Sequence, residues 1–86
     1  MTDHLTRNRL SAALQQAGKV HHEYEMVYLQ GQHDPVWAGW YAAYVLGRLG
    51  DFTTPSRLTR WLEEVTEAED WSFEAADLVW EKLHPG

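Results

Sequence analysis

The chain has 86 residues, 13% of them aromatic with five Trp, a formal net charge of −6 and no cysteine. That length makes one domain near the small end of what folds alone, and the missing thiols exclude disulfides, thiol catalysis and cysteine metal sites. The basic residues are scattered along the sequence, at Arg7, Arg9, Lys19, Arg48, Arg57, Arg60 and Lys82, so nucleic acid is not an expected partner of this acidic chain.

The N-terminal MTDHLTRNRL lacks the apolar run of a signal peptide. From Asp3 to Gln30 the residues Leu10, Ala13, Leu14, Ala17, His21, Tyr24 and Tyr28 fall on one helical stripe, with Val20 and Val27 at its edge. Gly18 interrupts the composition but not the phase, which predicts one helix continuing through it. Unbroken, that helix would be about 40 Å long, whereas a compact chain of this size has a radius of gyration of about 12 Å. It is therefore expected to overhang, to bend at Gly18, or to be covered by a second subunit.

The connection GQHD (31–34) leads into PVWAGWYAAYVLGRLG, whose only charge between Val36 and Leu49 is Arg48. Asp34 reads as the N-cap, Pro35 as the first helical residue and Gly50 as the stop. A helix apolar on all sides is expected at the centre of the fold. Trp37, Ala38, Tyr41, Tyr44, Val45 and Arg48 share one face, and Gly39, Ala43 and Gly47 form a ridge of small residues for close approach of a neighbour. The apolar stretch, Val36 to Leu46, is shorter than the ~20 residues that span a bilayer. A soluble, cytoplasmic protein without membrane contact is the expectation.

After GDFTT (50–54), with Phe52 turned inward, Thr54 caps a helix with Pro55 at its first position. From Pro55 to about Ala68, Leu58, Trp61, Leu62 and Val65 point in while Arg57, Arg60, Glu63, Glu64 and Glu67 point out. An acidic turn, TEAEDW (66–71), precedes a last helix capped by Asp70 or Ser72, with Phe73, Ala76, Val79, Trp80 and Leu83 buried. No run of alternating β-branched residues suggests a strand. The fold class is all-α: a four-helix single domain over 1–86, built around a buried, aromatic-rich second helix.

The polar cluster that stands out is HHEYE, 21–25. His21 lies within the apolar stripe and Glu25 follows one turn later, a spacing that permits a hydrogen bond or a shared metal. The simpler alternative is a core histidine satisfied by a carboxylate, or by Tyr41 or Tyr44. Metal motifs do not match. An H-E-x-x-H helix would need His where Met26 stands, and the one Glu-x-x-His spacing, Glu81 with His84, lies at the C-terminus. His33 and Asp34 add possible ligands at no recognised spacing. A helix-turn-helix formed by 35–49 and 55–68 is disfavoured by its long connection and by Glu63, Glu64 and Glu67, which would face phosphate. No cofactor and no metal is expected.

HHEYE followed by DPVWAGWYAAY (34–44) resembles small uncharacterised bacterial helical proteins with a W-x-x-W-Y-A-x-Y segment, some loosely labelled alongside glyoxalase or bleomycin-resistance proteins. The resemblance covers about half of the chain. It departs at Ala38 and Gly39, where similar sequences often carry Pro or Asp. It implies a shared helical fold of unknown function, without the β-α-β metal fold of glyoxalases, and the matching positions are His21 or His22, Glu25, Trp37, Trp40, Tyr41 and Tyr44.

Two readings of function follow. In the first, the protein is a non-enzymatic helical interaction module that binds another protein or, as a homodimer, itself. In the second, His21, Glu25, Trp37, Tyr41 and Tyr44 line a small-molecule or enzymatic pocket, joined by His22 and Trp40 as candidate ligand-binding residues.

Overall fold

The computed structural model describes residues 4–66 and 68–85. Four helices follow one another: α1 (Arg7–Val27), α2 (Trp37–Leu49), α3 (Pro55–Glu63) and α4 (Trp71–Leu83). They form a ring in which α1 packs on α2 and α4, and α3 packs on α2 and α4. Buried Leu10, Leu14, Val45, Leu58, Leu62 and Val79 meet at its centre, with Ala13, Ala17, Ala42, Ala75 and Ala76 letting the backbones approach. The radius of gyration is 12.8 Å.

The all-α, four-helix reading holds, and several of its details are corrected. α1 opens at the Thr6 cap, whose side chain accepts from the Arg9 N–H, and it ends at Val27. At about 1.5 Å per residue it is roughly 32 Å long, shorter than the ~40 Å of a helix over 3–30. The stop is local. Gln30 (φ 56°) and Gly31 (φ 84°) adopt left-handed backbone and reverse the chain, while the carbonyls of Tyr24 and Glu25 accept from Leu29 and Gly31. Tyr28 and Val27, expected along the buried stripe and at its edge, are exposed at the end of the helix, just before that reversal.

The second helix is not buried all round. In a ring of four, α2 has two helical neighbours, so one side of it stays uncovered. Its inward stripe is Ala38, Ala42, Val45 and Leu46, spaced i, i+4, i+7, i+8. Trp37, Trp40, Tyr41 and Tyr44 are half-buried at its flanks. The expected packing ridge faces outward: Ala43 and Gly47 are exposed, and a Cβ added at Gly39 or Gly47 would meet nothing within 4 Å. Gly18 on α1 does lie at a close approach, because a Cβ there would stand 3.4 Å from the Tyr41 hydroxyl. At the end of α2, Gly50 (φ 94°) donates its N–H to the Leu46 carbonyl at 2.8 Å.

The Thr54 cap and Pro55 start of α3 stand as expected, but the helix closes at Glu63, short of Ala68. Glu67, read as an outward residue of that helix, lies outside the described residues. Asp70 caps α4 by accepting from the Phe73 N–H. Phe73 is exposed and Ala75 takes the inward place assigned to it, because the stripe that meets α1 and α3 runs through Ala75, Ala76 and Val79. The Arg7 Nε lies 2.9 Å from Asp77 Oδ1, tying α1 to α4. Among the described residues no helix is long and apolar enough to cross a membrane.

Candidate functional site

The polar centre of the molecule is the junction between the last turn of α1 and the segment entering α2. His21 and Asp34, each 4% exposed, are its two buried polar residues. His21 Nε2 lies 2.9 Å from Asp34 Oδ2. The other carboxylate oxygen, Oδ1, accepts the Val36 N–H at 3.0 Å, and the Asp34 N–H donates to Glu25 Oε2 at 3.0 Å. The hydrogen bond from His21 holds the Asp34 carboxyl below its ordinary value. Burial opposes this, and the Val36 N–H and the nearby His21 and His33 charges add to it. Asp34 is therefore a carboxylate, and His21 donates to it through Nε2–H.

Asp34 was expected to cap α2. It fills a related role one turn earlier: its side chain turns the chain at Pro35–Val36, its carbonyl accepts from Trp37, and the helix begins at Trp37. The same carboxylate thus organises the entry to α2 and satisfies the histidine of α1. Glu25 holds this connection twice, by its backbone carbonyl to Gly31 and by its side chain to Asp34.

Aromatic rings surround the pair. Trp40 meets the His21 ring edge-on at 4.8 Å, with Tyr41 at 5.1 Å and Tyr24 at 5.8 Å. On one side, Trp37, Tyr41 and Trp71 pack edge-to-face at 5.4–5.6 Å, and Trp71 donates its indole N–H to the Val65 carbonyl. Burial, and secondarily the Glu25 charge, raise the Tyr41 hydroxyl above its ordinary value. On the other side, Tyr28 stacks on Tyr24, Tyr24 approaches Trp40, and Trp40 stacks on Tyr44, a row of rings along the α1–α2 seam.

Of the seven sequence-predicted residues, His21, Glu25, Trp37 and Tyr41 line one recess of about 200 Å³, together with His33. Trp40 supports the back of the His21 ring, Tyr44 lies farther along the row of rings, and His22 is exposed. Asp34 and Trp71 were not among the predicted site residues. In the sequence Asp34 reads as a helix cap and as a possible metal ligand, with nothing to pair it with His21, and Trp71 closes a stretch that reads as an acidic turn. Among the described residues no group of three or more His, Asp and Glu is arranged to hold a metal. Both His21 Nδ1 and His33 Nδ1 lie 3.9 Å from Glu25 Oε2, outside hydrogen-bonding distance.

No protein-family model matches the chain, and no curated protein or solved structure is detectably similar to it.

Proposed function

We propose that the protein is a non-enzymatic helical interaction module that self-associates through the end of the molecule where α1 stops and α2 begins. The observation that carries this is the exposure of four large apolar side chains there: Val27 at 76%, Tyr28 at 73%, Val36 at 72% and Met26 at 56%. Asp34, bonded to both Glu25 and His21, brings Val36 to the end of α1. The half-exposed rings of Tyr24 and Trp40 continue the surface. An apolar patch of this kind on a small protein marks an interaction site.

A second copy is the partner favoured by charge. The chain carries −6, yet residues 26–32 and 35–47 contain no Asp, Glu, Lys or Arg. A two-fold contact sets a patch against itself, so an uncharged patch avoids the like-charge repulsion that such pairing otherwise brings. The 200 Å³ recess beside it is smaller than the roughly 300 Å³ at which ligand pockets begin, and its His21 and Glu25 are engaged in holding the connection. That favours the interaction module over the small-molecule pocket.

Dilution monitored by amide NMR tests the surface directly. From high to low micromolar concentration, the resonances of residues 24–28 and 36–40 are expected to move while those of α4 stay fixed. Shifts confined to α3 and α4, or none at all, would overturn the assignment.

A further inference from the structure

The recess at the α1–α2 junction is too small for a ligand of ordinary size, yet its 200 Å³ suit a compact head group, and its walls are chemically one-sided. Trp37 and Tyr41 form two of them, with ring centroids 5.4 Å apart and planes at 88°, so the rings stand as the two sides of a corner. Trp71, outside the lining, packs edge-to-face on both rings and holds the corner. Glu25 completes the lining with His21 and His33.

The charge at this corner is negative. Glu25 is committed through one atom: its Oε2 accepts the Asp34 N–H, an uncharged donor that leaves the carboxylate its charge. Oε1 accepts no hydrogen bond among the described residues, and the side chain is 24% exposed, within reach of an incoming group. Asp34, held by His21, adds a second carboxylate to the same junction. Among the described residues, no Lys or Arg pairs with either one. The only bases near Glu25 are the imidazoles of His21 and His33, at 3.9 Å and beyond hydrogen bonding.

Aromatic rings beside an unmatched carboxylate attract a cation, and they suit one whose charge is spread over methyl groups better than a bare, strongly hydrated ammonium. We infer that the recess binds the alkylated ammonium head of a free small molecule, of the kind choline carries. This site does not depend on self-association, since its lining is complete within one chain.

Choline is the probe, titrated at pH 7.5, one unit above the ordinary histidine value of about 6.5, with the Trp37 and Tyr41 ring resonances followed by NMR. Its uncharged isostere, 3,3-dimethyl-1-butanol, is titrated beside it. Choline is expected to shift both rings saturably and to bind about tenfold more tightly than the isostere. Glu25→Gln keeps an acceptor for the Asp34 N–H and removes the charge, and should weaken choline about tenfold while leaving the isostere unchanged. Glu23→Gln, which removes an exposed carboxylate of the same helix, should leave choline binding as in the parent. If Glu25→Gln melts below the parent, the comparison of choline with its isostere on the parent still decides. Absence of saturable shifts, equal binding of the isostere, equal weakening by Glu23→Gln, or retention on phosphatidylcholine vesicles without binding of free choline would each overturn the inference.

Discussion

Replacing Asp34 tests whether the His21–Asp34–Glu25 junction holds the fold. Asp34→Ala removes two acceptors, one facing a His21 that is 4% exposed and one facing the Val36 N–H. Val36 is exposed and water can replace its partner, so that loss is small. The His21 Nε2–H is stranded where water does not reach, which costs about 1–3 kcal/mol. Together the two amount to about 2–3 kcal/mol, or roughly 8–24 °C in melting temperature for a domain of this size. Asp34→Asn keeps one acceptor for Val36 and presents an amide to His21, which can accept by shifting its proton to Nδ1; about 1 kcal/mol is expected. The difference between parent and Asp34→Asn should also depend on pH. Because the folded carboxyl lies below its unfolded value of about 3.9, the stabilisation is fully present above that value and is lost as pH falls through the folded one. Urea melts at pH 7 and across the acid range supply both numbers. An Asp34→Ala protein within about 0.5 kcal/mol of the parent would refute the reasoning, since a surface change typically costs no more.

Two further outcomes concern backbone and helix propensity. Gly39→Ala and Gly47→Ala should each stabilise by about 0.5–1 kcal/mol in denaturant melts, because the added methyl meets nothing and α2 loses a poor helix former; destabilisation would return those glycines to a packed ridge. Gln30→Gly should stabilise by up to about 1 kcal/mol, since Gln30 sits at φ 56° where a side chain is strained; a clear loss would mean that the Gln30 side chain contributes a contact of its own.

The four-helix architecture was legible because it rests on local periodicity: Leu10, Leu14 and Ala17, or Leu58 and Leu62, repeat at helical spacing and are buried where that spacing puts them. Caps were legible for the same local reason, at Thr54 outright and at Asp70 as one of two candidates with Ser72. Burial of α2 was not. Its sequence is apolar on every side, so periodicity cannot say which side lacks a neighbour, and only the ring arrangement leaves Ala43 and Gly47 outside. The candidate site was half legible. His21 and Glu25 mark themselves by position on one helix, but the partner of His21 is 13 residues away across a chain reversal set by Gln30 and Gly31.

Sedimentation equilibrium over a concentration series addresses self-association most directly, with the parent run beside Val27→Asp. Val27 is 76% exposed, so the substitution leaves the core untouched while placing a charge in the patch. The account predicts that the parent reaches twice its 10.0 kDa protomer mass at high micromolar concentration and that Val27→Asp, with an unchanged melt, remains at the protomer mass. A parent that stays at the protomer mass throughout, or a Val27→Asp variant that dimerises as well as the parent, would contradict it.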